Sequence, residues 1–569
     1  MPITSARRLA VVLLVFGLLN LIGIGQTAAP DLVLFNGKIF TSNSSQPYAE
    51  ALAIRGERVV AVGNSTEIVA LAGAGTRRID LGGHTVVPGF NDAHDHLSIA
   101  PDTYELTLKG IDPSWQEIRE AISAAAAITP KETWIRGDFG MNVIDDPSAT
   151  RAGLDALAPD RPVVLADWTG HASLLNSVAM MRLGIQQDEG PGIRRHSGSA
   201  GVHEDEPNPV GGVYVRDKAT GKMTGMVMEY ANFMISVRYT DLVSDDQATK
   251  QVHDFFANAA RLGITSVQDM AMPIPAPRIV ELLRNEPPPI RVRVIWFGLT
   301  DEHGRLTKEG RGLPLHPAPL VTVSGTKWIL DGTPMEHSAA MRQPYADRPA
   351  TSGAMDFDEK EMEGILRESL ENDDQLMVHV VGDRTMETFL NAMDATGGEK
   401  AWAERRVRLE HGDGLMPDLI PRAKRLCVIV VQNPTHFTFG EIMTKLYGEN
   451  RALELQPLRT LVNAGIPVAI GSDGSNNPFV NIMLATTYER HPAEALTREQ
   501  AVVAYTLTSA YAEFAEKDKG SLEPGKLADL AVLSQDIFTV AAGDLPRTES
   551  VLTLVGGKII YDAKVVGVQ

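Results

Sequence analysis

The sequence has almost no cysteine, since Cys427 is the only one in 569 residues. An intrachain disulfide is therefore excluded, and so are zinc sites built from several thiolates. Any bound metal has to be held by histidine, by carboxylates or by a less usual ligand. This restricts the search for a metal site to a small set of residues.

Positive charge is also scarce. The chain has 53 Lys and Arg against 72 Asp and Glu, a formal net charge of −19, and a sequence pI near 5.2. Such a surface repels phosphate backbones, so we expect a small-molecule substrate and no nucleic-acid partner. Hydrophobic residues make up 44% of the chain, which is ordinary for a folded protein, and the length suits one large domain with a smaller one.

Long apolar runs are missing after the first thirty residues. Near the start, Arg7 and Arg8 precede the apolar run Leu9–Ile24, which ends in small and polar residues. This is the layout of a secretory signal peptide. We therefore predict a signal peptide over residues 1–29 and an exported protein, periplasmic or secreted, without a stable membrane partner after cleavage. The alternative is an uncleaved N-terminal anchor, and Pro30 leaves the cleavage site unassigned.

Both ends of the chain are rich in short strands. Residues 31–88 alternate apolar runs with turns, and Asn36-Gly37 between two such runs predicts a hairpin. The C-terminal stretch has the same pattern of short apolar runs and turns, with Gly556-Gly557 separating two predicted strands. We predict a small β-sandwich domain built from residues 30–88 and 520–569.

The middle of the chain alternates strand-like runs with helical patterns, which is typical of a parallel sheet with crossover helices. Eight such runs can be counted, the number that closes a (β/α)₈ TIM-type barrel of the α/β class. We predict this barrel over residues 89–519, with an inserted subdomain at about 97–250 because that gap is too long for one βα unit. The predicted barrel strands are Val86–Phe90, Ile264–Gln268, Val292–Phe297, Lys327–Leu330, Gln375–Val380, Val407–Glu410, Val428–Gln432 and Val468–Gly471.

Histidines lie at the predicted strand ends, where barrels of this type carry their catalytic groups. Strand one leads into His94 and His96, and two residues at i and i+2 of an extended chain point to the same side. His379 lies on strand five, His411 ends strand six and Asp473 follows strand eight. Each alone would more often be structural, but together they predict a metal site.

Two specific motifs stand at opposite ends of the chain. Residues 88–96 have the pattern Pro-Gly-Phe-x-Asp-x-His-x-His, and residues 524–529 have Pro-Gly-Lys-x-Ala-Asp. With these motifs the sequence resembles the amidohydrolase superfamily, and within it the YtcJ-like branch (amidohydrolase family 3). That superfamily combines a barrel with a small β domain. Further similar pieces lie at 170–172, 176–177, 263–267, 327–332, 379–384 and 471–473.

The resemblance implies a site for two divalent ions. The strand-one histidines and the final aspartate would bind one ion, and the histidines of strands five and six would bind the second. Histidine and carboxylate ligands favour zinc, although iron, manganese and cobalt are also suited. The implied ligands are His94, His96, Lys327, His379, His411 and Asp473.

Lys327 matches the position of a bridging carboxylated lysine in the binuclear members. A plain ammonium would be a poor neighbour for two cations, so N6-carboxylysine is expected at Lys327. One alternative is an ion pair between Lys327 and Asp331 or another carboxylate. Another is a site with a single metal ion.

The reaction implied is hydrolysis of a carbon–nitrogen bond of the amide type, in a non-peptide or small N-acyl substrate. A metal-activated hydroxide would attack the carbonyl carbon. Asp473 would accept a proton and pass it to the departing nitrogen. His171, within a family motif, would hydrogen-bond the carbonyl oxygen, and a structural role in the insertion is its alternative.

Three further residues are candidates for substrate contact: Glu229, His436 and His337. The alternatives are an ion-paired or solvated carboxylate for Glu229 and a loop histidine for His436. His337 lies after the Asp331-Gly332 motif, where relatives commonly carry a basic or aromatic residue. An apolar cavity is suggested by Trp168, Tyr230, Met335 and Met341.

Other functions stay open at this point. Deaminases of heterocycles usually place a glutamate shortly after the strand-five histidine, whereas His379 is followed here by Val380-Val381-Gly382-Asp383. A deaminase of a heterocyclic or amidine substrate, a small dipeptidase and a catalytically silent binding protein are the alternatives. The physiological substrate and the oligomeric state are not encoded in any pattern we recognise.

Overall fold

The computed structural model describes residues 28–185, 206–306 and 312–568. The predicted signal peptide therefore lies outside the described residues, except for its last two positions. In the part of the chain that is described, no helix is both long and apolar enough to span a membrane.

The centre of the fold is a parallel sheet of eight strands in which each strand pairs with the next one along the chain. Past the last strand, the Asp473 N–H donates to the His94 carbonyl oxygen at 3.0 Å, so the sheet returns to its first strand as a nearly closed barrel. The strands are β1 (Phe90–Asp95), β2 (Ile264–Met270), β3 (Arg291–Phe297), β4 (Val321–Ile329), β5 (Leu376–Val380), β6 (Arg408–His411), β7 (Ile429–Gln432) and β8 (Val468–Ile470).

The predicted bounds of the first barrel strand were wrong. Thr85–Pro88 belongs to a different sheet, where it pairs antiparallel with Leu530–Leu533, and β1 begins only at Phe90. At Gly89 between them the backbone packs closely, since a Cβ there would lie 2.1 Å from the Thr265 Oγ1. One apolar run thus contributes residues to two sheets, and Gly89 allows the backbone to pass closely from one sheet to the other.

Helices surround the barrel with one apolar face turned inward. In Asp245–Arg261, a capping box between Ser244 and Gln247 fixes the start, and Val252 and Phe256 are buried four residues apart. The other helices of this region are Ala276–Asn285, Glu359–Glu371, Asp383–Ala395, Gly398–Trp402, Ile420–Arg425, Gly440–Tyr447, Glu449–Glu454, Leu458–Ala464, Pro478–Thr487, Arg498–Val503 and Ser509–Ala512. Short 3₁₀ or π turns occupy Pro434–Phe439, Pro492–Glu494, Ala504–Thr508 and Ala542–Arg547.

Between β1 and β2 the chain forms a separate six-stranded sheet. Its strands are Thr103–Glu105, Trp134–Phe139, Val163–Asp167, Ala172–Leu175, Gly212–Arg216 and Met223–Glu229. Its helices are Trp115–Ile128, Met141–Ile144, Arg151–Leu157, Ser177–Arg182 and Tyr230–Thr240.

Two further sheets combine strands from both ends of the chain and share one hydrophobic core. The hairpin predicted at Asn36-Gly37 was wrong, because the strands on its two sides belong to different sheets. The turn at Gly556-Gly557 does form a hairpin. One sheet contains Leu32–Phe35, Ala51–Arg55, Arg58–Gly63, Arg77–Asp80 and Gly567–Val568. The other contains Lys38–Phe40, Tyr48–Ala49, Thr85–Pro88, Leu530–Leu533, Ser550–Val555 and Lys558–Asp562.

Candidate metal centre

Three side-chain atoms converge at the end of β1. The His94 Nε2 lies 3.3 Å from the His96 Nε2. The Asp473 Oδ1 lies 3.6 Å from the first of these nitrogens and 3.7 Å from the second. Ligand atoms held at about 2.0–2.1 Å around a tetrahedral ion are roughly 3.4 Å apart, so the three atoms are spaced as ligands of one ion.

In His94 and His96, the hydrogen-bond partner of Nδ1 determines which ring nitrogen carries the lone pair. The His94 Nδ1 lies 2.7 Å from the Glu410 Oε2, and the His96 Nδ1 lies 2.8 Å from the Met272 carbonyl oxygen. An ionised carboxylate and a carbonyl oxygen can only accept, so both Nδ1 atoms donate. Both Nε2 atoms then present lone pairs to each other at 3.3 Å, which is unfavourable without a cation between them.

His379 and His411 form a second part of the centre, with ring centroids 4.5 Å apart. The His379 Nε2 is buried and has no hydrogen-bond partner among the described residues. Asn433 donates from its Nδ2 to the Gly471 carbonyl oxygen, so its Oδ1 faces the His411 Nδ1 at 2.8 Å as an acceptor. Burial lowers the pKa of both histidines well below the ordinary value, which keeps them in the neutral form that binds metals.

Histidine and aspartate ligands are available on both sides of the centre. His94, His411 and Asp473 each offer a ligand atom within 4.8 Å of those of the other two. The Asp473 Oδ2 lies 3.6 Å from the His411 Nδ1, while its Oδ1 faces the β1 pair. The residues therefore fit one ion on the β1 side, and His379 and His411 lie next to its ligands.

Lys327 lies on β4 and is almost completely buried. The predicted alternative of an ion pair with Asp331 was wrong, because the Asp331 carboxylate is engaged by the Val381 and Gly382 N–H groups at 3.0 and 2.8 Å. In the described ranges of the chain, the Lys327 ammonium has no ion-pair or hydrogen-bond partner. Burial lowers the pKa of Lys327 to about 8, although the charges of Glu410 and Asp473 oppose that shift.

The backbone is strained at several predicted site residues. His411 has φ of 66° and Asp473 has φ of 43°. Glu229 and His337 have φ of 52° and 57°. Residues with a side chain rarely adopt this left-handed region, and such strain is concentrated at functional sites. For His411 and Asp473 it turns side chains at the ends of β6 and β8 towards the centre.

His171 reaches the centre from the inserted sheet, and its ring lies 4.7 Å from that of His379. Its Nδ1 lies 2.6 Å from the Glu229 Oε2, and the Ser338 hydroxyl donates to the other oxygen of Glu229 at 2.9 Å. Burial alone would lower the pKa of His171, but the Glu229 carboxylate raises it above its ordinary value. The His171 ring is thus held by Glu229 next to His379.

The structure brings His436 to the centre and pairs His337 with a different carboxylate. The His436 Nε2 lies 3.6 Å from the Asp473 Oδ2, and its Nδ1 lies 3.9 Å from the Asp413 Oδ2. Burial opposes its protonation, but the two carboxylates raise the pKa of His436 to about 10. His337 is instead paired with Asp347 at 3.0 Å, with its side chain buried.

An apolar wall adjoins the centre on the side of His436. Trp168 and Phe439 stack with ring centroids 3.8 Å apart, and Phe439 lies 6.3 Å from the His436 ring. Of the residues predicted to line an apolar cavity, Tyr230 is buried in the core, where its hydroxyl bonds the Ile329 backbone. Trp168 packs against a hydrophobic cluster that contains Met141, Met335, Met341, Met416 and Met443.

Two buried charged residues were not predicted from the sequence. Glu410 and Arg408 have no solvent exposure, and the Arg408 Nε donates to the Glu410 Oε1 at 2.7 Å. The signal was present in Arg-Leu-Glu-His, because charges at i and i+2 of a buried strand both point into the barrel. A charge pair there needs a specific reason, since barrel interiors are dominated by apolar side chains.

Comparison with known proteins finds similar sequences and one matching family. The model of the family described as amidohydrolase family matches residues 77–561. An N-substituted formamide deformylase of Arthrobacter pascens is 28% identical over 567 residues, covering 94% of this chain and 99% of that protein. The YtcJ protein of Bacillus subtilis (strain 168) is 28% identical over 513 residues, covering 86% of this chain and 91% of that protein.

A solved structure has the same fold. The crystal structure of an uncharacterized metal-dependent hydrolase from Pyrococcus horikoshii OT3 matches with a TM-score of 0.66 and 22% sequence identity. The match covers 90% of this chain and 99% of that chain. At this identity the likeness concerns the arrangement of strands and helices.

Proposed function

Because this chain belongs to the amidohydrolase family, we propose that it hydrolyses carbon–nitrogen bonds of the amide type in a metal-dependent reaction. The observation that carries the proposal is the convergence of the His94 Nε2, His96 Nε2 and Asp473 Oδ1 at 3.3–3.7 Å. Two nitrogen lone pairs this close repel each other unless both bind the same cation. A divalent metal at this centre supplies Lewis acidity and lowers the pKa of water towards about 7.

In the proposed ligand set, His94, His96 and Asp473 would hold one ion, and His379 and His411 would hold a second. Asp473 has a different task for each oxygen. Its Oδ1 faces the β1 histidines, and its Oδ2 lies 3.6 Å from His436. We assign the proton transfer to Asp473, which accepts a proton from the attacking water and delivers it to the departing nitrogen.

His171 is proposed to donate a hydrogen bond from its Nε2 to the carbonyl oxygen of the substrate. Its Nδ1 is engaged by Glu229 at 2.6 Å, so the other nitrogen is the one that can reach a substrate. Negative charge develops on the carbonyl oxygen during attack, and a fixed donor there stabilises the transition state. His436 is proposed to hold the Asp473 carboxylate and to contact the substrate beside it.

Lys327 is proposed to carry a carbamate, which would supply anionic oxygen ligands for the metal. The Lys327 ammonium would first lose one proton. The neutral amine would then add to carbon dioxide and lose a second proton, so that a buried cation becomes an anionic carbamate. The proposal is supported by the burial of Lys327, by its pKa of about 8 and by the absence of a partner for its ammonium in the described residues. Carbon-13 NMR in labelled bicarbonate should give a carbamate signal that Lys327→Met lacks. A wild-type enzyme active without this signal would contradict the proposal.

The proposed substrate class is a small neutral amide with an apolar substituent, such as an N-substituted formamide or an N-acylated amine. Support comes from the name of the Arthrobacter relative and from the wall of Trp168, Phe439 and methionines beside His436. The deaminase alternative lacks its usual glutamate after His379. A small dipeptidase remains the second alternative within the same chemistry.

The test compares the metal-loaded enzyme with the chelated enzyme on a substrate panel. The panel contains N-substituted formamides, N-acyl amines, N-acyl amino acids, dipeptides and amino-substituted heterocycles. We expect carboxylate and free amine from the neutral amides, and loss of turnover after chelation that zinc restores. Release of ammonia from the heterocycles would favour the deaminase. Unchanged activity of the metal-free protein would contradict the central proposal.

Export and domain organisation are also proposed. The arginines and apolar run within residues 1–29 support secretion to the periplasm or beyond. Strands from residues 30–88 and 520–569 share one core, which supports a small β-sandwich domain beside the barrel. N-terminal sequencing of the protein from fractionated cells tests export, since a mature start near residue 30 is expected. An intact N-terminus in the membrane fraction would favour the anchored alternative.

A further inference from the structure

Arg408 and Glu410 form a buried ion pair inside the barrel, directly below His94. Both side chains have no solvent exposure. The guanidinium donates to both oxygens of the carboxylate, from Nε to Oε1 at 2.7 Å and from Nη2 to Oε2 at 3.1 Å. Burying such a pair is costly, and replacement by apolar residues is often neutral or stabilising. Stability alone therefore does not explain why the pair is here.

The pair is anchored on several strands. The Arg408 Nη1 donates to the Gln268 Oε1 at 2.6 Å, and the Nη2 donates to the Ala93 carbonyl oxygen at 2.5 Å. Gln268 in turn donates to the Ser509 carbonyl oxygen at 3.1 Å. Every donor or acceptor that Arg408 contacts is thus on a strand or helix of the barrel, so its position is fixed by β1, β2 and β6.

The carboxylate of this pair contacts a candidate metal ligand, His94. The Glu410 Oε2 lies 2.7 Å from the His94 Nδ1. A carboxylate held by two guanidinium hydrogen bonds is ionised, so it accepts and the His94 Nδ1 donates. The proton of the neutral imidazole is then on Nδ1, and the lone pair is on Nε2. The same guanidinium holds the Ala93 carbonyl oxygen, which fixes the backbone just before His94.

We propose that Arg408 and Glu410 are positioning residues that hold His94 in the Nδ1–H tautomer with its Nε2 aimed at the metal centre. The inference rests on the proposed metal site and adds residues that act through His94 and do not touch the metal or the substrate. Partners of this kind orient metal-bound histidines in general, and their removal typically weakens metal binding 10–100-fold.

Glu410→Gln is an informative variant because it keeps the shape of the side chain. Arg408 offers only donors, so the amide oxygen of the glutamine belongs on the Oε1 side, where the Arg408 Nε lies at 2.7 Å. The amide NH₂ then faces the His94 Nδ1, which has to become an acceptor. That change moves the imidazole proton to Nε2 and removes the lone pair needed for the metal.

Asp529→Asn is a matched control. Asp529 also forms a buried, two-point pair with an arginine, accepting from the Arg291 Nε at 2.7 Å and from its Nη2 at 3.1 Å. This pair lies outside the candidate ligand set. The two variants lose the same kind of interaction, but only Glu410→Gln touches a metal-ligand candidate.

The experiment measures zinc affinity of the metal-free full-length protein by competition with a chromogenic chelator. We expect Glu410→Gln to bind the first zinc about 10–100-fold more weakly than the wild type, and Asp529→Asn to bind it within about twofold. Equal zinc affinity of Glu410→Gln and wild type would overturn the inference. Equal weakening in both variants would also overturn it, because the effect would then be general destabilisation.

A second measurement covers the case in which Glu410→Gln does not fold. Nitrogen-15 NMR of histidine-labelled metal-free protein reports the tautomer, and His94→Gln identifies the His94 signals by difference. The inference requires the Nδ1–H form of His94, and the Nε2–H form would overturn it. Failure of the proposed function is distinguishable, since the wild type itself would then bind no zinc or would hydrolyse amides without it.

Discussion

At the scale of single residues, Asp473 has the most demanding environment of the centre. Burial would raise its pKa, but the neighbouring His94, the hydrogen bond from His436 and the nearby His411 hold that pKa well below the ordinary value. Its two oxygens face different histidines, with Oδ1 towards His94 and Oδ2 towards His411, each at 3.6 Å. A single carboxylate is thereby available both as a ligand and as a proton acceptor.

Asp473→Asn should remove most of the turnover. The amide keeps the size of the side chain but accepts no proton at neutral pH, so we expect a loss of about 10²–10⁴-fold in kcat. The measurement is steady-state hydrolysis of the best amide from the panel, with circular dichroism to check the fold. A rate near that of the wild type would refute the role of Asp473.

His171→Asn tests the proposed hydrogen bond to the substrate carbonyl. Loss of one donor to a developing oxyanion typically lowers kcat by about 10²–10³-fold. Because His171 is not in the proposed ligand set, zinc content should stay at the wild-type value. Glu229→Gln should cause a smaller loss, since it removes the partner that holds the ring and not the ring itself. A loss of zinc in His171→Asn would instead identify it as a ligand.

At the scale of elements, the contact between β8 and β1 joins the two ends of the site. A Cβ at Gly471 would lie 2.4 Å from the His94 Cβ and 2.5 Å from its backbone nitrogen. The Ser472 N–H also donates to the Asp92 carboxylate at 2.9 Å. The barrel therefore closes where the proposed ligands of β1 and β8 meet, and glycine allows this approach.

Gly471→Ala should weaken both metal binding and stability. The added methyl group has to push the backbone of His94 aside, which we expect to cost about 1–3 kcal/mol of unfolding free energy, as in other overpacked sites. Gly543→Ala is the control, because no atom lies within 4 Å of the Cβ position there. Thermal unfolding and zinc content measure the two effects. A Gly471→Ala protein that matches Gly543→Ala in both would contradict the proposed close packing.

The insertion and the barrel each supply part of the wall around the centre. His171 and Trp168 belong to the loop after one strand of the insertion, whereas Phe439 belongs to a 3₁₀ turn after β7. Trp168 and Phe439 stack across this boundary at 3.8 Å. Substrate selection is therefore expected to depend on both elements together, and on neither one alone.

At the scale of the whole molecule, strands far apart in sequence meet at the metal centre and at the small sheets. The C-terminal motif at 524–529 includes Asp529, whose carboxylate binds Arg291 at the start of β3. The same carboxylate accepts from the Gly556 N–H at 2.7 Å. This explains structurally why the second motif accompanies the first, since it connects the C-terminal strands to the barrel.

Removal of the metal should lower the thermal stability of the whole molecule. A ligand that binds only the folded state stabilises it by about 2.7 kcal/mol when its free concentration is 100 times its Kd. We expect scanning calorimetry to show a lower Tm after chelation and recovery with zinc. His96→Asn should shrink the zinc-dependent shift because it removes one of the three converging atoms. An unchanged Tm with and without zinc would contradict a site in the folded barrel.

Much of the architecture follows from local sequence patterns. Buried strands are marked by apolar runs, so all eight barrel strands were predicted. The fourth begins at Val321, six residues before its predicted start at Lys327, and the first was wrongly extended back into another sheet. That error has a physical cause, since the apolar residues Val86 and Val87 before Gly89 belong to one sheet and the apolar Phe90 after it begins another. The hairpin expected at Asn36-Gly37 fails for a related reason, because a turn signal does not say which partner each strand will find.

What the sequence by itself determined is the set of candidate ligands, because histidines at the ends of parallel strands are brought to one face of any such barrel. Tertiary structure alone decided how those residues are used. It placed Glu410 against His94, left His337 with Asp347, and gave Lys327 no partner in the described residues. Hydrogen bonds between residues hundreds of positions apart depend on strand register and side-chain direction across the barrel, and no local pattern of residues records them.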